Sequence, residues 1–196
     1  MFGTGQNPFA SDWAVNPGLF PGAGDAGIRL RGLNEGDWQQ HADHLQRLSP
    51  EGRRARFQSA ISDAAIRSYV RGMDWRHVFV FGVFVHGTLR AVGELIPMTD
   101  PGSAEISVSV EDDHQHSGFG KMLVLAMFLA ARHLGMHRLH IICSRDNDRM
   151  RALARDVGAH GRHVEGMLEF VVTLPPPGET ARPGPPLPDI RPAGRG

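Results

Sequence analysis

The apolar positions of this chain change period several times, and each change marks an element. Ile106, Val108 and Val110 alternate with Ser107 and Ser109, the period of a half-buried strand, here over 104–110. Alternation or runs of β-formers predict further strands over 28–33, 77–85, 88–96, 138–143 and 167–174. His86-Gly87 is a turn joining 77–85 to 88–96, and Pro97 ends the second of these strands. Helical spacing predicts a polar amphipathic helix over 35–48 and one or two helices over 51–70, after Ser49-Pro50. Another helix, capped by Asp146 or Asn147, repeats Met150, Leu153, Ala154 and Val157 and stops at Gly158. Residues 118–134 are apolar on nearly every face, which predicts a helix buried between layers. Arg132 and His133 complement its negative end, and Gly135 can close it. The order of elements implies an α+β sandwich with helices on both faces of a sheet.

The periodic part is flanked by segments of different composition. Residues 1–26, rich in Gly, Asn and Pro, read as a flexible arm. Their Phe2, Phe9, Trp13, Leu19 and Phe20 leave open docking on the domain or on a second subunit of a homodimer. Residues 175–196 are rich in Pro and Gly and read as a disordered tail, leaving 27–174 as one domain.

Charge and cysteine content narrow the classes. Lys plus Arg equals Asp plus Glu at 21 each, so net charge points to neither nucleic acid nor an acidic membrane. The single cysteine, Cys143, excludes an internal disulfide and fits a reducing cytoplasm. No apolar stretch reaches membrane-spanning length, and the amino terminus lacks the charge and apolar core of a secretory signal. Eleven histidines invite a metal reading, but no pair among them comes with a second Cys or a clustered carboxylate at metal-site spacing, so no metal is expected.

The chemistry concentrates where the alternating strand runs into Gln115-His116-Ser117-Gly118-Phe119-Gly120-Lys121 and the apolar helix. Backbone N–H groups at a helix start lack internal partners and sit at the positive end of the dipole, a ready site for phosphate. A Walker loop is excluded because Gln115 stands where its first Gly belongs and Met122 follows Lys121. A dinucleotide fingerprint is excluded because Leu123 occupies the third Gly position. The segment resembles the acetyl-CoA loop, Gln/Arg-x-x-Gly-x-Gly/Ala, of the GNAT acetyltransferases. Asn147-Asp148-Arg149-Met150 with Leu153 and Gly158 is similar to that family's N-x-x-M/A…L…G pattern. Residues 48–57, LSPEGRRARF, resemble the LSPESRYxRF signature of a branch that includes bacterial protein-lysine acetyltransferases, with departures at Gly52 and Ala55.

The resemblance spans residues 28–174 and implies a GNAT fold, a mixed, largely antiparallel sheet flanked by helices on both faces. It implies acetyl-CoA as co-substrate, no metal, and an amine acceptor, with a protein lysine leading over a polyamine or an aminoglycoside. A module that binds acyl-CoA without turnover is the rival of a different class. The backbone at Val108, Ser109 and Val110 would pair with the pantetheine arm. Gln115, His116, Ser117, Gly118, Phe119, Gly120 and Lys121 would hold the pyrophosphate, where a Cβ at Gly118 or Gly120 would block close approach. Asn147 would contact the pantetheine arm or simply cap its helix. Glu105, in Ala104-Glu105-Ile106, matches the family's general base, on the strand face opposite Ile106. The tyrosine that many members place after this asparagine is missing: Leu153-Ala154-Arg155 stands there, and the only tyrosine is Tyr69. Arg53, Arg54 and Arg56 form a charge run of the kind that marks a solvated helix face; under the resemblance it would line the acceptor entrance or pair with acidic loops.

Overall fold

A computed structural model describes residues 27–175; the expectations for 1–26 and for the tail beyond 175 lie outside the described residues. Seven strands form one sheet in the order β1-β2-β3-β4-β5-β7-β6. They are β1 (Ile28–Leu33), β2 (Phe79–Val85), β3 (Thr88–Pro97), β4 (Ser103–Val110), β5 (Arg138–Cys143), β6 (His160–Val164) and β7 (Met167–Thr173). Five helices join them: α1 (Trp38–Arg47), α2 (Pro50–Phe57), α3 (Asp63–Arg71), α4 (Phe119–His133) and α5 (Asp148–Asp156). Only β4 and β5 run parallel; every other neighbouring pair is antiparallel.

The strands' alternation sorts their side chains to two cores. On one face, Phe81, Ala91, Leu95, Ile106, Leu139 and Ile141 pack against Leu123, Met127 and Ala130 of α4. On the other, Leu33, Val80 and Val92 form a smaller cluster, with α1 and α3 contributing a further group around Leu45, Ile66 and Val70. Trp75 packs against both of these clusters. The α4 helix is less enclosed than its composition suggests. Lys121, Leu125, Leu129 and His133, spaced four apart, all face outward, so the helix has one open side although its sequence carries apolar residues there.

Two hairpins turn on a residue pair with positive φ, His86-Gly87 and Glu165-Gly166, the left-handed geometry that a tight two-residue turn requires. The second of these joins β6 to β7, and β6 is an edge strand the periodicity did not reveal. All five of its residues are exposed, so no alternation is imposed on its sequence.

The parallel pairing of β4 with β5 positions the site. It covers only Ser103–Glu105 against Arg138–His140, and no pairing continues beyond Glu105. From Ile106 to Val110, β4 is paired with β3 alone, so the two central strands part and leave an open edge.

Candidate active site

A cavity of about 410 Å³ lies at this parting of the strands. Its walls come from β4 (Val108, Val110), the loop and first turn of α4, α2 (Gly52, Ala55, Arg56) and α5 (Met150, Leu153). Of the sequence-predicted cofactor residues, Val108, Val110, Gln115, His116, Gly118, Phe119, Gly120, Lys121 and Asn147 all line it. Ser109 does not: its side chain is buried on the opposite face, 2.9 Å from Nε2 of His44. Ser117 is also outside the lining and donates its hydroxyl to the His114 carbonyl.

The loop is held by its own side chains. Gln115 donates to Asp112 Oδ1 at 2.6 Å and lies 3.4 Å from the Val110 carbonyl, so its amide fixes the corner between strand and loop. The His114 and Phe119 rings stack with centroids 6.0 Å apart. Gly118 sits at φ +84° just before α4, and an added Cβ would meet no protein atom within 4 Å. Glycine is required there by backbone conformation, not by crowding from the protein itself. A Cβ on Gly120 would make only ordinary contacts, 3.6 Å to Leu153. The first turn of α4 carries no acidic residue, and its N-terminal backbone has no side-chain cap. Asn147 Oδ1 accepts from the Met150 backbone at 3.0 Å, so its capping role is realised in the cavity wall.

Glu105 stands at the last position where β4 pairs with β5, opposite His140 and before these strands part. It is half-buried, and burial pushes its carboxyl up. Arg56 and His140 pull against that rise, while the charge of Glu94 adds to it. Such a carboxyl is a better proton acceptor than one in water.

Beside it lies a buried network that the sequence did not announce. Glu94 points from β3 under α1–α3 and is 1% exposed, a lone acid in the apolar run Ala91–Ile96. Its partners are Arg56, the Tyr69 hydroxyl at 2.5 Å, and Nε2 of His41 at 3.1 Å, too oblique for a hydrogen bond. Arg56 also donates to the Tyr69 oxygen at 2.9 Å. Burial opposes ionisation of Glu94, but Arg56, His41 and Tyr69 outweigh it and hold the carboxyl down at about 2. Tyr69 is pushed up by burial and by Glu94, so it remains a phenol, and it lies outside the cavity lining. Arg56, which lines the cavity, pairs with the strand carboxylate Glu94, whereas Arg53 pairs with Asp63 at the start of α3.

Four positions of the LSPEGRRARF segment have a visible structural role. Ser49 caps α2 by accepting from Gly52 N at 3.1 Å, Pro50 is its first residue, and Arg53 ties it to Asp63 at 2.7 Å. Arg56 then reaches Glu94.

A second buried carboxylate, Glu111, closes the end of β4. It accepts from His44 at 3.1 Å, Arg47 at 2.9 Å and Arg90 at 2.7 Å, and although burial opposes it these partners hold it down at about 2. His44 is kept neutral chiefly by burial; its Nδ1 hydrogen goes to Glu111, leaving Nε2 to accept from Ser109. Cys143 is buried, and burial pushes its thiol up. Among the described residues no three His, Cys, Asp or Glu side chains converge as a metal site, and no helix is long and apolar enough to cross a membrane.

Comparison with known proteins agrees with this geometry. An acetyltransferase of Pseudomonas aeruginosa is 29% identical over 141 residues, covering 69% of this chain and 76% of the relative. The GNAT domain of PAT from S. lividans superposes with a TM-score of 0.66 at 20% identity, over 75% of this chain and 90% of that one. The PaiA N-acetyltransferase of Thermoplasma acidophilum, solved with coenzyme A, superposes with a TM-score of 0.58 at 17% identity, over 74% and 98%. The acetyltransferase (GNAT) domain family matches residues 28–160, and this chain therefore belongs to the GNAT family of acetyl-CoA-dependent acetyltransferases.

Proposed function

We propose that this enzyme moves an acetyl group from acetyl-CoA to the side-chain amine of a protein lysine, with Glu105 as general base. The observation that carries the reading is the open edge of β4 beyond Glu105, flanked by the cavity and the α4 start. The β4 edge at Ile106–Val110, which has no β5 partner, suits an extended amide-bearing arm such as pantetheine. The N-terminal N–H groups of α4, with Lys121 beside them, suit a pyrophosphate. The residues present fit coenzyme A on both counts.

Acetyl-CoA supplies an activated thioester carbonyl; the chain's residues must deliver a neutral amine to it. An ε-ammonium is almost fully protonated near neutral pH, so proton removal limits attack. Glu105, at the vertex where the strands part and with its carboxyl raised by burial, is the carboxylate this reading assigns to that removal. Backbone N–H groups of the free β4 edge are the donors available to the developing oxyanion. The S. lividans fold neighbour is named PAT, and the LSPEGRRARF segment, which builds one cavity wall, supports the protein-lysine branch over a small amine.

The test is a thiol-release assay with acetyl-CoA against a lysine peptide, a polyamine and an aminoglycoside. Turnover highest on the lysine peptide is expected. Preference for either small amine would reassign the acceptor, and tight acetyl-CoA binding without thiol release on any of the three would make the chain a binding module.

A further inference from the structure

The face of the sheet that carries Glu105 also carries an ordered row of ionisable groups. Glu105 on β4 is the register partner of His140 on β5. Paired residues on adjacent strands project from the same face, with strands about 5 Å apart. His140 lies 2.8 Å through Nδ1 from Glu169 Oε1 on β7, and Arg162 on β6 holds the other oxygen of Glu169 at 2.5 Å. His140 and Glu169 are largely buried, their side chains 14% and 12% exposed. The groups facing this row are Arg56 from α2, Glu94 from β3, and Arg138 from β5, which is itself bound to Asp100.

The direction of the row follows from its chemistry. An ionised carboxylate only accepts, so His140 carries its hydrogen on Nδ1, and in the neutral ring Nε2 is bare. Glu169 is ionised because the hydrogen bond from His140, joined by Arg162, draws its carboxyl down against burial. A histidine so held has a fixed tautomer and a fixed ring orientation, as in carboxylate-oriented bases.

We propose that His140, held by Glu169, relays to solvent the proton that Glu105 takes from the attacking amine. The inference rests on Glu105 being the base. The protons balance. A lysine ammonium loses two as the N–C bond forms and the C–S bond breaks; one ends on the sulfur of coenzyme A and one must leave. Glu105 receives the leaving proton, His140 Nε2 takes it from Glu105, and water takes it from the imidazolium. The base is then ready for the next turnover. His140 acts through Glu105 and does not touch the substrate.

The test uses the full chain, acetyl-CoA and poly-L-lysine. His140→Ala should lower kcat by about a hundred-fold, the lower end of what a proton-transfer group contributes, with KM for acetyl-CoA unchanged. Added imidazole should restore part of that rate, and Glu105→Gln should abolish the imidazole response. Ring-nitrogen NMR of the free protein should show His140 protonated at Nδ1, and Glu169→Leu, which removes the acceptor, should erase that preference. Wild-type kcat in His140→Ala, a loss that imidazole does not relieve, or an unchanged ring in Glu169→Leu would overturn the relay. If Glu105→Gln is slow while His140→Ala is normal, the base stands and the relay alone fails. Wild-type turnover in Glu105→Gln removes the base and the relay together. Absence of thiol release by the wild-type chain overturns the lysine reading on which both rest.

Discussion

Glu94→Gln isolates the charge of the buried network while keeping the shape of the side chain. The wild-type carboxyl is held at about 2 against an ordinary 4.5, which corresponds to about 3 kcal/mol of stability. Removing one partner of a buried ion pair costs a similar amount, roughly 3–5 kcal/mol, because the other charge is left uncompensated. Here that charge is Arg56, whose side chain is 11% exposed. We expect the variant to lose about 3 kcal/mol in urea unfolding at neutral pH, with an unchanged m-value, and roughly 6–12 °C in Tm. Because the folded value is depressed, the stabilisation is complete above the ordinary value of 4.5 and is lost as pH falls from there through about 2. The gap between wild type and variant should therefore close over that acid window. Tyr69→Phe, which removes the hydrogen bond to Glu94 and the one from Arg56 but leaves the ion pair, should cost roughly 1–3 kcal/mol. A Glu94→Gln loss below about 1 kcal/mol, or one that does not narrow in acid, would refute the reasoning.

Gly118→Val places a β-branched residue at φ +84° and should weaken acetyl-CoA binding severely in calorimetry, with roughly 1–3 kcal/mol of backbone strain showing in unfolding; unchanged affinity would remove the loop from the site. Gly161→Ala would set a Cβ 2.7 Å from the Phe170 ring, so β6 should lose protection in hydrogen exchange and the domain about 1–3 kcal/mol; a neutral effect would show that β6 repacks freely. A chain ending after Leu174 should keep both Tm and acetyl-CoA affinity, and a marked loss of either would show that 175–196 contributes to the domain.

The parts of the fold legible in the sequence are those where burial imposes a period. Ile28–Leu33 and Arg138–Cys143 were readable to the residue because their alternate positions face a core. His160–Val164 was not, since its single apolar side chain, Val164, is exposed and its pairing with β7 is made by backbone. The open row of α4 was hidden for the opposite reason: Leu125 and Leu129 are apolar yet 37% and 38% exposed, and composition does not say which side a sheet covers.

The site divides in the same way. The glycine loop was legible because backbone geometry at a helix start demands particular residues in sequence order. The Glu94–Arg56–Tyr69 network was not, because its members come from three elements and meet only when α2 and α3 fold over β3. One signal was present, a single acid inside Ala91–Ile96, where an unpaired carboxylate could not be buried. His140 and Glu169 were equally invisible, 29 positions apart and joined by strand pairing.

The most direct test of the account is the pH profile of turnover for Glu105→Gln beside its acetyl-CoA affinity. The substitution keeps size and removes the proton acceptor, so affinity should hold while kcat falls by about a hundred- to ten-thousand-fold near neutral pH. Raising the pH should recover part of the rate, because more of the amine is then neutral without help. Wild-type turnover near neutral pH in the folded variant would contradict the account, leaving positioning and oxyanion stabilisation to carry the reaction alone.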